Sequence, residues 1–150
     1  MTTYFVDTSA LAKRYIFEAG SQWVQRWILP QAGHIIVIAE LTTVEMFSLI
    51  ARREQEGTLA LTNALTLRTN FLYHTQHEYL TIPLESTVLT HSRNLVTIHP
   101  IRTLDAIQLA CALHTAFLLQ ETIVFVSADN KLLSAAQSEG LIADNPLLHP

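Results

Sequence analysis

The chain is short of charge. Asp, Glu, Lys and Arg make up 15% of its 150 residues, against about 25% in an ordinary soluble domain. Hydrophobic residues make up 49%, so either a large core or an apolar surface buried between subunits must absorb the excess. The formal net charge is -4, which leaves no overall basic footprint for a nucleic acid; such a substrate has to be held by local groups or by metal ions. The one cysteine, Cys111, excludes an internal disulfide and a thiolate zinc site, and reads as a small core residue. With only 4 Gly and 5 Pro and no repeated stretch, nothing marks a linker, and residues 1–150 are expected to form one domain. No apolar run approaches the roughly 18 residues that span a bilayer, and the N-terminus lacks a basic segment followed by an apolar one, so the expected location is cytoplasmic.

What is present is a set of short, uninterrupted apolar runs. Tyr4 to Val6, Ile35 to Ile38, Tyr79 to Ile82 and Ile123 to Val126 contain almost no polar residue, the pattern of strands buried on both faces of a parallel sheet. Leu141 to Ala143 is a candidate fifth strand. Helical patterns separate them: Ala10 to Phe17, Ser21 to Leu29 with Ser21 as N-cap, Glu40 to Glu54, Thr58 to His74, Ser86 to Thr97, Leu104 to Leu118 capped by Thr103, and Lys131 to Ser138. Leu41, Val44, Phe47, Ile50 and Ala51 form the apolar stripe of the third helix. Strand alternating with helix argues for an α/β fold with a parallel sheet.

The chemistry-bearing residues stand at the ends of these elements. Asp7 follows the first strand and precedes Thr8, Ser9 and a helix, so it lies where open α/β sheets bind ligands, and it is equally a good N-cap. Ser127 and Asp129 follow the fourth strand in the same way. Asp105 stands in the first turn of a helix that is apolar almost all round, where the helix dipole alone favours an acid. Glu45 borders the buried face of its helix, a placement that needs a partner or a metal unless the side chain turns to water. Lys13 and Arg14 read as a solvated helix face near the same end of the sheet. His74 and His77, three apart, can share a metal, but no third ligand follows at a zinc spacing. Taken together, Asp7, Glu45, Asp105 and Asp129 can converge on one crevice, and hard oxygen ligands without Cys or a His set select Mg²⁺ or Mn²⁺. Such ions support in-line displacement at phosphorus.

The chain resembles the PIN-domain proteins, and most closely the toxin ribonucleases of the VapBC toxin–antitoxin class. The resemblance runs from Tyr4 to about Pro146 and rests on Val6-Asp7-Thr8-Ser9-Ala10-Leu11, on Val44-Glu45-Met46 with Arg52-Arg53 downstream, on Leu104-Asp105-Ala106-Ile107-Gln108-Leu109-Ala110, and on Val126-Ser127-Ala128-Asp129 with Gly140-Leu141. It implies a three-layer α/β/α sandwich around a parallel sheet of about five strands. It also implies a metal-dependent endoribonuclease in which Asp7, Glu45, Asp105 and Asp129 are the catalytic, metal-binding acids, supported by Thr8 or Ser9 and by Ser127. Ser127 stands where the family more often has Thr. An RNA substrate, a small antitoxin partner and a homodimer belong to the same expectation; a catalytically inert PIN-like domain acting through a protein partner is the alternative. Two other folds with Asp at strand ends fit less well. A response-regulator receiver needs adjacent acids after its first strand, and a haloacid-dehalogenase phosphatase needs an acid where Ser9 stands.

Overall fold

The computed structural model describes residues 1–150. Its elements run β1 (Thr3–Val6), α1 (Thr8–Tyr15), α2 (Ser21–Ile28), β2 (Ile35–Ala39), α3 (Glu40–Gln55), α4 (Leu61–His77), β3 (Tyr79–Ile82), α5 (Ser86–Ile98), α6 (Thr103–Leu119), β4 (Val124–Val126), α7 (Asn130–Ser138) and β5 (Ile142–Asp144). All five strands are parallel, in the order β3-β2-β1-β4-β5. Each crossover is therefore helical, as parallel pairing requires. The order reverses direction between β1 and β4, and that reversal opens a crevice beyond the carboxyl ends of those two strands.

Alternation along the central strands sorts the core into two layers. Phe5, Val37 and Phe125 point to one face, where they pack with residues of α5, α6 and α7 such as Leu95, Leu109 and Leu132. Val6, Ile36, Ile38 and Val126 point to the other, against Leu11, Val24, Met46 and Phe71 of α1 to α4. This is the expected α/β/α sandwich. Alternation of period two is what splits one apolar strand between two cores.

Several local readings need correction. Ser21 is not an N-cap: the cap position is Gly20 in the left-handed region at φ 90°, and a Cβ there would come within 2.7 Å of the Pro146 carbonyl oxygen. Ser21 instead sits fully buried, accepting from the Glu18 amide and donating to the Ile16 carbonyl. Thr103 is the first helical residue of α6, and Arg102 holds the cap position without a side-chain bond. Val44, counted in the apolar stripe of α3, is 67% exposed, while Thr42 is buried on the same row as Met46 and Ile50. The fourth helix begins at Leu61 rather than Thr58 and runs on through His74 and His77. Phe117 and Leu118, at the end of a helix expected to be buried all round, are exposed.

Lys13 and Arg14 form no solvated face. The Lys13 side chain is 6% exposed and pairs with Glu18 at 3.3 Å. Arg14 donates to Glu78 Oε1 and to Tyr79 Oη, each at 2.8 Å. Tyr79 is the first residue of β3, so Arg14 lies at the amino edge of the sheet, opposite Asp7. The reason is geometric: α1 runs back antiparallel to β1, and its last turn returns to where the strand began.

Candidate active site

The site is built from four elements around the gap between β1 and β4. Asp7 ends the apolar run of β1 and is 6% exposed. Its Oδ1 accepts from the Ala10 amide at 3.2 Å and from Ser9 Oγ at 2.7 Å, and its Oδ2 accepts from Ser127 Oγ at 2.9 Å. It is thus both the N-cap of α1 and a buried acid, and the two readings of the sequence do not exclude each other. Burial pushes its carboxyl up to about 6; the bonds from Ser9, Ser127 and Ala10 pull the other way, and the charge of Asp105 adds to the rise. Ser127, fully buried after β4, also accepts from the Asp129 amide at 3.0 Å, and Ser9 Oγ accepts from the Ala128 amide at 2.9 Å. These hydroxyls tie the turn after β1 to the turn after β4.

Asp129 caps α7, its Oδ1 accepting from the amides of Lys131 and Leu132. Its Oδ2 makes no bond and remains available. Glu45 is held in the same one-sided manner. Its Oε1 accepts from Thr8 Oγ1 and from Gln108 Nε2, both at 2.8 Å, and its Oε2 is free. Asp105 opens α6 and faces the same crevice, with Arg102 3.9 Å away. Its carboxyl is raised above the ordinary value by burial first and then by the charge of Asp129; the charge and the backbone N–H of Arg102 oppose this, and Glu45 adds to it. A cavity of about 760 Å³ lined by Glu45, Arg52, Arg102 and Asp105 adjoins one of about 480 Å³ lined by Arg102, Asp105, Asp129 and Lys131. Asp105 is common to both. Asp7 lines neither recess; it is buried, close enough to Asp105 to feel its charge.

Gln108 escaped the sequence reading. It is 3% exposed, and Nε2 also donates to Thr42 Oγ1 at 2.9 Å, with Thr8 Oγ1 at 3.4 Å. It stands one turn after Asp105, so one face of α6 supplies an acid and the amide that orients Glu45. The Gln108 Oε1 is buried with no partner. The signal was there: a glutamine in the middle of an otherwise apolar helix has to be satisfied by something. His74 and His77 belong to other contacts. His74 shares a hydrogen bond with Tyr15 Oη at 2.8 Å, and His77 bonds the Tyr73 carbonyl. Cys111 is a core residue whose thiol burial pushes up to about 12.

No three acidic, His or Cys side chains stand close enough to form a ready-made ligand group. A cation held here would take one or two carboxylates directly and keep waters for the rest of its shell, a mode open to Mg²⁺. The donor set is all oxygen, and two of the acids present one unbonded oxygen each. The carboxyls of Asp7 and Asp105 are raised first by burial and then by neighbouring acids, so each is ionised at a cost that a bound cation would offset. On donor chemistry and on charge, the residues fit a hard divalent cation.

The PIN-domain family model matches residues 4–138. The ribonuclease VapC47 of Mycobacterium tuberculosis is 31% identical over 146 residues, covering 95% of this chain and 96% of that protein. The VapBC2 complex of Rickettsia felis, solved bound to a DNA fragment from its promoter, superposes with a TM-score of 0.65 at 13% identity, over 96% of this chain and 98% of the matched one. The Mycobacterium tuberculosis toxin VapC20, described as cleaving the sarcin–ricin loop, gives a TM-score of 0.64 at 14% identity, over 93% and 96%. At those identities the solved structures speak for the fold.

Proposed function

We propose, from the premise that the chain belongs to the PIN-domain family, that it is a metal-dependent endoribonuclease and the toxin of a type II toxin–antitoxin pair. The observation that carries the reading is that Glu45, Asp105 and Asp129 line two adjoining recesses near the reversal between β1 and β4, with Asp7 buried at the end of β1 and near enough to Asp105 to feel its charge. Sequence likeness to the ribonuclease VapC47 supports the same chemistry.

Asp7, Glu45, Asp105 and Asp129 would hold one or two Mg²⁺ or Mn²⁺ ions. Such an ion lowers the pKa of a bound water and stabilises charge on the attacking and leaving oxygens at phosphorus. The protein's own part is orientation. Thr8 and Gln108 fix one oxygen of Glu45, the start of α7 fixes one oxygen of Asp129, and Ser9 and Ser127 lock Asp7. Glu45, Asp129 and Asp7 are thus oriented beforehand and lose little freedom when a cation arrives.

A small antitoxin is the proposed partner, supported by fold neighbours that are themselves VapBC and toxin–antitoxin complexes. A homodimer is proposed from the low charge content and from large exposed apolar side chains such as Val44 (67%) and Phe117 (71%). No helix is long and apolar enough to cross a membrane, and a cytoplasmic location is part of the proposal. The deciding experiment incubates purified protein with mixed RNAs, with Mg²⁺ or Mn²⁺ and again with chelator. Metal-dependent cleavage that Asp105→Asn abolishes is the expected result. No cleavage of any RNA at high protein concentration would leave an inert binding domain. Light scattering tests the dimer, and a monomer at micromolar concentration would count against it.

A further inference from the structure

Five of the seven histidines are engaged within the fold. His34 accepts from the Thr2 amide at 3.0 Å, and the rings of His74, His77, His99 and His149 bond to Tyr15 Oη, the Tyr73 carbonyl, Glu139 and Asp144. His91 and His114 enter none of the side-chain hydrogen bonds or ion pairs that hold the other five. These two come from different helices, α5 and α6, and both are half-buried. They nevertheless line one recess of about 230 Å³, together with Thr87, which stands one turn before His91 on α5. The rest of that lining is apolar, from Val88, Ala110, Leu113 and Phe117. Through Thr87 and His91 the recess meets a second one, of about 360 Å³, lined only by hydroxyl, amide and imidazole side chains. No carboxylate and no Lys or Arg lines either of them.

Two imidazoles that line one space, with no partner of their own and no acid beside them, are donors for a transition-metal ion. Imidazole nitrogen suits Zn²⁺, Ni²⁺ and Cu²⁺, whereas carboxylate oxygen suits Mg²⁺ and Mn²⁺. We propose that His91 and His114 bind one divalent ion of the Zn²⁺, Ni²⁺ and Cu²⁺ class, clipping α5 to α6. None of Asp7, Glu45, Asp105 and Asp129 lines either recess, so the inference does not depend on the nuclease reading. Closed structural zinc sites have four protein ligands. Two leave the shell open to water, and the ion binds reversibly. The pair exists only where α5 and α6 have come together, so the unfolded chain lacks it and the ion stabilises the fold that binds it.

The test is calorimetric titration of Ni²⁺ into tag-free protein held in a large excess of Mg²⁺, which occupies the carboxylates. One ion per chain should bind. His91→Gln and His114→Gln keep a polar side chain at each position. Each should weaken binding at least about tenfold, the lower end of what losing an orienting partner alone costs a metal site. His77→Gln, at an exposed histidine outside the recess, and Asp105→Asn should bind Ni²⁺ as the parent does. Electron spin-echo spectra of the Cu²⁺ form count the ligating imidazoles, with two expected in the parent and one in each recess variant. In the same excess of Mg²⁺, Ni²⁺ should raise the Tm of the parent and leave that of the doubly substituted chain unmoved. No Ni²⁺ bound, equal affinity in the parent and both recess variants, or a single imidazole in the parent would overturn the clip. So would a loss in Asp105→Asn as large as in the recess variants, which would assign the ion to the acids. If one recess variant fails to fold, the other and the imidazole count of the parent decide. Cleavage assays keep the readings apart: Ni²⁺ bound as expected without RNA cleavage removes the nuclease and leaves the clip, and cleavage without Ni²⁺ binding removes the clip alone.

Discussion

Two polar clusters, each partly buried, occupy opposite edges of one sheet and are balanced in opposite ways. At the amino edge Arg14 meets Glu78 and Tyr79, Tyr79 meets Tyr15 at 2.7 Å, and Tyr15 meets His74 at 2.8 Å. The Arg14 and Glu78 side chains are 8% and 17% exposed, and each charge has its counter-charge. Burial works against the Arg14 guanidinium, but Tyr79 and Glu78 more than offset it. At the carboxyl edge Asp7, Glu45, Asp105 and Asp129 share one cation, Arg102, at salt-bridge range of one of them. Buried charge that is paired within the fold is architecture. Buried charge left unneutralised, with hydroxyls and amides aiming it, is what a site for a cation requires.

The comparison can be broken most forcefully at the amino edge. Arg14→Ala leaves Glu78 without its partner in a mostly buried position, and the expected loss is about 3 kcal/mol of unfolding free energy by urea denaturation. The melting shift produced by added metal should stay as in the parent. A changed metal shift would mean that the two edges are not independent.

Gln108→Leu acts at the other edge and on function. It removes the amide that holds Glu45 while keeping an apolar shape in α6, and it also removes the unpartnered Oε1. Metal affinity measured by Mn²⁺ titration, and cleavage with it, should fall roughly 10- to 100-fold, the usual cost of losing an orienting partner. Unchanged affinity would show that Thr8 alone suffices.

The pH dependence sharpens the comparison, because there the two edges carry opposite signs. The Asp7 carboxyl is raised to about 6 in the folded protein from an unfolded value near 3.8. Its contribution to stability is full below the unfolded value and is lost as pH rises toward 6. His74 is held below its ordinary value by burial and by Arg14, so its contribution is present above about 6.5 and is lost as pH falls. In chelator, the stability advantage of Asp7→Asn over the parent should open between about pH 4 and pH 6. An advantage independent of pH would remove the Asp7 titration as its cause.

Much of this was legible in residue order. Apolar runs with no polar interruption marked the central strands to within a residue or two, and an acid directly after β1 and a second just after β4 marked the ligand edge before any topology was known. What was not legible depended on return contacts. Arg14 reads as solvent-facing until α1 is seen to turn back over Glu78 and Tyr79. Val44 reads as core until α3 is seen to bury the row Thr42, Met46 and Ile50, with Thr42 satisfied by Gln108 from a distant helix. Asp7 posed a choice between cap and ligand because a sequence shows one partner at a time; Ala10 and Ser127 bind different oxygens of the same carboxylate.

The central claim is that the carboxyl edge is strained by its own charge until a cation binds, and paired thermal melts at neutral pH test it most directly. Asp7→Asn keeps an oxygen for the Ala10 amide and a group that can bond Ser127, so shape and capping survive, and Asn caps about as well as Asp. In chelator the variant should melt above the parent, because an acid raised to about 6 is charged at a cost at pH 7. Saturating Mg²⁺ or Mn²⁺ should raise the parent strongly and the variant less, since binding to the native state is itself stabilising. A variant that melts below the parent in chelator and keeps the full metal shift would contradict the claim and leave Asp7 as a helix cap.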